Sequence, residues 1–240
     1  MRILSVLIAL GSYQLVCSQT VRPGSITLLG GVSRSSIETE GDARYWFDPY
    51  STSEAIVAPS AGTEIRFPLK WDFNLVTGFG YREKGETVPK TQVLFSGDSY
   101  PHDLEIKTTA HTLTIPLALE WQVETGPVWM AFKAGGFWDV FLTQKIGWYP
   151  DGEADNGNHV PAARKKPGDM GLLGGVDLGV RIQRMGVLVG LNYEHSLTEV
   201  VEFPAPDDYY GYYSSYPTIS GASALRCLEI HAGLRWFLLK

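Results

Sequence analysis

The sequence predicts an all-β fold: an eight-stranded antiparallel up-and-down transmembrane β-barrel, with long external loops and short periplasmic turns. Three observations predict it. About eight segments alternate apolar and polar residues, the period of a strand with two unlike faces. The gaps between them run long, short, long, short, which places every long connection at one end, as outer-membrane barrels do. Glycine is abundant, at 26 residues, and Pro-Gly-Asn-Asp clusters recur at fairly regular intervals. No segment of useful length keeps a helical period.

The segments follow a leader. Residues 1–18 have the pattern of a secretory signal peptide: Arg2, then apolar Ile3 to Leu10, then Val16-Cys17-Ser18 before Gln19. The apolar run is too short for a membrane anchor. Val16 is not the small residue that lipoprotein processing at Cys17 favours. Residues 19–240 are then a single barrel domain. Loss of the leader removes Arg2 and no acid, taking the net charge from -6 to -7. That acidity argues against a nucleic-acid partner. Cys227 is the one cysteine left after cleavage, so no internal disulfide supports the fold. It reads as a small apolar filler.

The first strand runs from about Ser25 to Ser35, and a long polar segment, Ile37 to about Gly62, follows it. The second, Glu64 to Phe73, sets Ile65, Phe67, Leu69, Trp71 and Phe73 against Arg66, Pro68, Lys70 and Asp72. The third, Leu75 to about Lys84, follows almost at once, and a long gap extends to Leu104. The fourth, Ala110 to Trp121, carries Leu113, Ile115, Leu117, Leu119 and Trp121 on one face. A turn at Val123–Pro127 leads to the fifth, Val128 to Thr143. After a long gap to Pro167, the sixth runs from Gly171 to Ile182. Arg184-Met185-Gly186 turns into the seventh, Val187 to Leu197, and the last long gap ends near Ala222. The eighth is the clearest: Leu228, Ile230, Ala232, Leu234, Trp236 and Leu238 alternate with Glu229, His231, Gly233, Arg235 and Phe237. Pro68 and Pro116 fall mid-strand, where each removes a ladder hydrogen bond.

An apolar band of about 25 Å crossed at about 40° needs about ten residues per strand, and these segments have that length or slightly more. Trp71, Phe73, Trp121 and Trp236 mark one interface; Tyr81, Trp138 and Tyr193 mark the other. With the apolar faces on lipid, the opposite faces line the lumen. Bases there are Arg66, Lys70, Arg82, Lys84, Lys133, Arg181 and Arg235; acids are Asp72, Glu120, Asp139, Asp177, Glu194 and Glu229. Eight strands enclose room only for side chains. Near-balanced signs therefore predict a salt-bridged plug; a selectivity filter would show an excess of one sign. Gly78, Gly80, Gly175, Gly179 and Gly233 share the inward face and give large neighbours room.

Five stretches carry a family resemblance. They are Gly78-Phe79-Gly80-Tyr81-Arg82-Glu83-Lys84-Gly85, Leu113-Thr114-Ile115-Pro116-Leu117-Ala118-Leu119, Lys133-Ala134-Gly135-Gly136-Phe137, Gly171-Leu172-Leu173-Gly174-Gly175-Val176 and Ala232-Gly233-Leu234-Arg235-Trp236-Phe237. In this order they resemble the outer-membrane β-barrel family common in Bacteroidetes, labelled PorT-like or porin-family. The resemblance covers most of residues 19–240. It implies a barrel in the cell outer membrane, in contact with its lipid, and implies no activity. The chain ends Phe237-Leu238-Leu239-Lys240, without the final aromatic of many barrels.

No motif for catalysis, cofactor or metal emerges. His102, His111, His159, His195 and His231 are scattered. Glu194-His195-Ser196 is the most enzyme-like trio, but neighbours on a strand face opposite ways. The last long gap holds Tyr209, Tyr210, Tyr212, Tyr213 and Tyr216 among Gly and Ser, the composition of adaptable binding loops. The third holds an acidic run, Asp151-Gly152-Glu153-Ala154-Asp155, and a basic one, Arg164-Lys165-Lys166, either folded together or solvated. The leading expectation is a non-enzymatic barrel with a structural or surface-interaction role, its partner an extracellular or envelope protein. The alternatives are a narrow passive channel and an exported soluble β-barrel binding an apolar ligand inside. Inward-facing Leu113, Ile115 and Leu117 would select the soluble reading.

Overall fold

The computed structural model describes residues 24–39, 54–93, 102–150, 164–165, 168–198, 201–202 and 223–238. The leader and the tyrosine-rich segment lie outside these. Eight long strands form the molecule: β1 (Ser25–Thr39), β2 (Glu54–Pro68), β3 (Phe73–Val93), β4 (His102–Thr125), β5 (Val128–Pro150), β7 (Gly168–Ile182), β8 (Met185–Ser196) and β10 (Ser223–Phe237). Two-residue strands β6 (Arg164–Lys165) and β9 (Val201–Glu202) pair with each other. The eight close into a barrel in the order β1-β10-β8-β7-β5-β4-β3-β2, every described pairing antiparallel. β1 and β10 complete the ring from Ser25↔Phe237 to Thr39↔Ser223. Closure leaves the wall no open edge.

Alternation decides which face meets lipid. Leu117, 60 % exposed, and Ile230, 61 % exposed, point out of the wall, while Thr114, Glu120 and Glu229 are buried inside it. Leu113 and Ile115 share the outward parity of Leu117 on β4. Apolar residues therefore form the outer belt and polar ones fill the interior, the arrangement of a membrane barrel. That orientation removes the soluble, apolar-ligand alternative. Trp121, Tyr81, Trp138 and Tyr193 are exposed on the outer face, Trp71 is exposed in the turn after β2, and Trp121 stacks on Phe132 with ring centroids 5.9 Å apart.

Three tight connections, the start of β1 and the end of β10 lie at one end of the barrel; Leu238 N donates to Gly24 O at 2.8 Å. Between β2 and β3 the chain reverses through Trp71 (φ 58°) and Asp72 (φ 63°), with Phe73 N donating to Lys70 O at 3.3 Å. Two successive positive φ values are the mark of a type I′ hairpin turn, whose twist matches the strands it joins. This corrects the expected second strand, which ends at Pro68 rather than Phe73. Pro68 is thus terminal, where its missing N–H costs little. The β4–β5 turn is Gly126 (φ 63°) with Pro127, and the β7–β8 turn is Gln183 (φ 58°) with Arg184. Met185 and Gly186 belong to β8, one residue off the expected turn.

Pro116 does sit mid-strand. The β3–β4 pairing lapses between Thr77↔Leu117 and Gly80↔Thr114 and resumes in the same register. Pro116 breaks the ladder locally without slipping it.

The largest departure from the sequence expectation is length. β3, β4 and β5 run 21, 24 and 23 residues, about twice what the membrane needs. Barrel neighbours stop earlier: β2 pairs with β3 out to Glu54↔Thr87, and β7 pairs with β5 out to Val140↔Gly168. β3 and β4 continue to Val93↔His102, and β4 and β5 to Leu104↔Pro150. Together they stand above the rim as a three-stranded sheet. Much of the two expected gaps that begin at Gly85 and Gln144 is strand. So is 54–62, expected as loop.

Candidate functional site: the charged interior

Two layers of ion pairs fill the barrel. Arg66 organises the layer nearer the tight turns. Its Nε donates to Glu120 Oε2 at 2.8 Å, its Nη2 to Glu64 Oε2 at 2.6 Å and Asp177 Oδ2 at 3.1 Å, and its Nη1 to Thr27 Oγ1 at 2.6 Å. Lys133 Nζ joins Glu64 at 3.0 Å and Asp177 at 3.3 Å. Asn74 donates to Glu120 Oε1 at 3.1 Å. Arg235 Nη1 donates to Gln122 Oε1 at 3.0 Å, while its Nη2 lies 3.7 Å from both Glu120 and Asp177. The guanidinium lies over the Trp129 ring at 3.7 Å, a cation–π contact that is strong where water is excluded.

The outer layer centres on β3. Arg82 pairs with Glu194, and through Nη2 with Glu229 at 2.6 Å. Lys84 Nζ lies 2.5 Å from Asp139 and 2.7 Å from Glu194, and 4.8 Å from the Phe137 ring centroid. Thr114 Oγ1 donates to Asp139 at 2.5 Å, and Asn192 Nδ2 to Glu229 at 3.1 Å. His231 stands between the layers, its Nε2 3.0 Å from Asp177 and its Nδ1 4.0 Å from Glu229. Beside this junction, Leu29, Gly62, Gly80, Pro116, Arg82 and Glu229 border a cavity of about 20 Å³, room for about one water molecule.

The reason these charges tolerate burial is multiplicity. A lone buried ion is costly, but each here has several partners of opposite sign or neutral donors. Backbone alternation supplies the geometry: Glu64 with Arg66, and Arg82 with Lys84, sit two residues apart and share the inward face.

The sequence-predicted lumen set divides accordingly. Arg66, Arg82, Glu120, Lys133, Asp139, Asp177, Glu194, Glu229 and Arg235 are all buried and meet in these layers. Lys70 and Asp72 do not line the wall, because the β2–β3 turn takes them out of the strand; Lys70 is exposed at the barrel end. Arg181 keeps the inward parity but lies at the rim, donating to Gln183 O at 3.1 Å and covering the Phe237 ring at 4.2 Å. Sequence reasoning omitted Glu64, though its parity with Arg66 was the available signal. It also treated His231 as one of five scattered histidines, and missed that Trp129, Phe137, Leu173 and Leu188 point inward. Apolar clusters thus share the interior: Val76, Ala118, Phe137 and Leu173 in one, Trp129, Ala131 and Leu188 in the other. Cys227 is buried among the charges as a free thiol.

Glu194-His195-Ser196 is split by the strand. Glu194 is inside with Arg82 and Lys84, His195 faces out, and Ser196 turns back inside to donate to Asp169. The trio therefore shares no site. Among the described residues no group of His, Cys, Asp and Glu is placed to hold a metal ion.

A closed eight-stranded wall, an outward apolar belt, interfacial aromatics and an ion-paired interior define an outer-membrane β-barrel. No family model matches the sequence, and no curated protein matches it. Among solved structures the chain is similar to outer membrane protein OprG of Pseudomonas aeruginosa, at 10% identity and a TM-score of 0.47, covering 92% of this chain and 99% of that one. It is similar also to the attachment invasion locus protein Ail of Yersinia pestis, at 10% identity and a TM-score of 0.36, covering 89% and 99%. Neisserial surface protein A shows 10% identity and a TM-score of 0.35, covering 89% and 97%.

Proposed function

We propose that the protein is a non-enzymatic scaffold of the outer membrane that engages a protein partner at the cell surface, its lumen closed by paired charges. It resembles the PorT-like barrels. The observation that carries the reading is the sheet raised by β3, β4 and β5. A barrel whose task ended at the bilayer has no use for strands of 21 to 24 residues. Rigid strands lift binding elements clear of the membrane, and binding concentrates in loops held by such frames. The tyrosines Tyr209, Tyr210, Tyr212, Tyr213 and Tyr216, which fall in sequence between β9 and β10 and outside the described residues, are the proposed contact residues. They offer large contact area at low entropic cost.

The test shortens residues 203–220 and, in a second variant, trims the raised sheet at 88–106 together with 145–150. Heat-modifiable gel migration reports barrel folding, and pull-down from envelope and host extracts reports binding. Both variants should fold, and at least one should lose its partners. Identical partners from wild type and both folded variants would remove the surface-interaction reading.

A further inference from the structure

His231 of β10, Gly190 of β8 and Asp177 of β7 lie in one row across three neighbouring strands. The His231 side chain is fully covered, and its Nε2 stands 3.0 Å from Asp177 Oδ1. That contact passes over β8 because the residue there is glycine; a methyl group at Gly190 would overlap both the imidazole and the carboxylate. On the other side β1 places Gly31 opposite His231. The ring so framed has a carboxylate at each end: its Nδ1 lies 4.0 Å from Glu229 Oε2 and makes no hydrogen bond. A neutral imidazole carries one N–H and one lone pair, so in either tautomer a lone pair faces one of these carboxylates. Only the imidazolium presents a hydrogen to both.

The charges of the two layers agree with this. Nearer the tight turns, Arg66, Lys133 and Arg235 meet Glu64, Glu120 and Asp177, three against three. In the outer layer, Arg82 and Lys84 meet Asp139, Glu194 and Glu229, two against three. An imidazolium at the junction supplies the sixth positive charge. Around the ring, Arg66 of β2, Lys133 of β5 and Arg235 of β10 stand on Asp177, and Arg82 of β3 stands on Glu229. Alongside it β1 places Gly31 and Ser33, and β8 places Gly190 and Asn192; none of these four titrates.

We propose that His231 is a pH-sensitive clamp: as an imidazolium it ties the two ion-pair layers together through Asp177 and Glu229, and losing its proton releases the outer layer. Histidine is the side-chain type that changes charge between about pH 5 and 8. The five cations of the layers are arginines and lysines, which keep their charge across that range. Deprotonation leaves the outer layer with three carboxylates and two cations, and a lone pair in place of a donor beside Glu229. Glu229 is a partner of Arg82, and Arg82 and Lys84 lie on β3, one of the strands that rise above the rim. The stabilisation is thus present while the ring is charged and lost as pH rises through its titration. The clamp rests on the closed, ion-paired lumen of the reading above and adds a control to it.

Urea unfolding of the full-length protein in lipid vesicles, repeated from about pH 5 to about pH 9, tests this. The wild-type unfolding constant should be at least about tenfold larger at the alkaline end. His231→Gln, which still donates to Asp177 but does not titrate, should remove that rise. Nitrogen NMR of the wild-type imidazole needs no variant to fold: both ring nitrogens should carry hydrogen at the acid end and one at the alkaline end, with the midpoint of the unfolding change. A ring that keeps one protonation state throughout, or a wild type and a folded His231→Gln that lose stability alike, would overturn the clamp. Planar-bilayer recordings keep the two readings apart. Large sustained steps from wild type at both ends of the range would remove the closed lumen and the clamp with it. A silent wild type whose stability ignores the state of the ring would remove the clamp alone.

Discussion

Arg66 on β2 and Glu120 on β4 meet at 2.8 Å although β3 lies between their strands. They can meet because β3 places Asn74 there, a side chain short enough to leave room and polar enough to donate to the same carboxylate. The pair spans the interior rather than decorating the wall. Glu120→Ala should therefore lower the stability of the refolded protein by about 3–5 kcal/mol, since it leaves a buried cation short of a partner. Arg66→Met combined with Glu120→Met should cost much less than the two single changes added together. Urea unfolding in lipid vesicles measures all three; additivity would show that the pair is not coupled.

Gly179 on β7 stands opposite Trp129 on β5, and a methyl group there would overlap the indole ring. Trp129 in turn holds the Arg235 guanidinium. Gly179→Ala should destabilise by about 1–3 kcal/mol through overpacking. Trp129→Leu in that background should recover part of the loss, although alone it is harmful. A neutral Gly179→Ala in the same urea titration would mean the ring is not fixed where the structure places it.

How much of this was legible in the sequence follows from what creates a two-residue period. Where one face meets lipid, as at Ile230 against Glu229, alternation is sharp and the strand announces itself. Beyond the belt the sequence no longer alternates apolar with polar, so Glu86 to Val93 and Lys145 to Pro150 read as loop while the backbone continues as strand. The type I′ turn at Trp71 and Asp72 was hidden because neither residue is the glycine or asparagine such turns usually use. The charged interior was legible through parity. Its pairings were not, since Arg66 with Asp177 and Arg82 with Glu229 depend on which strands face each other across the closed ring.

Ile230 and Thr114 test the assignment of faces. Ile230 is 61 % exposed on the outer belt, and Thr114 is buried inside and donates to Asp139. Ile230→Arg should cost about 2–4 kcal/mol near the bilayer midplane. Thr114→Arg should fail differently, by crowding the interior, and its penalty should persist in detergent micelles where that of Ile230→Arg shrinks. Comparing the two variants in vesicles and micelles separates these causes. Equal behaviour in both media would count against the outward orientation of β10.

Asp177 decides whether the interior is closed by charge. It lies 3.1 Å from Arg66, 3.3 Å from Lys133, 3.0 Å from His231 and 3.7 Å from Arg235. Removing its charge leaves that layer with an excess of cations that had shared one carboxylate. Wild type should give no sustained conductance steps in planar bilayers, because the six carboxylates and five permanent cations of the two layers bind one another rather than passing ions. Asp177→Asn should loosen the layer, admit water and produce small, flickering, anion-selective openings, since an excess of one sign is what makes a lumen selective. Adding Lys133→Met should quieten the channel by restoring the balance. Large stable steps from wild type would reject the closed lumen. Silence from Asp177→Asn, with a folded barrel on the gel, would show that packing around Trp129 and Phe137 closes the barrel without help from charge.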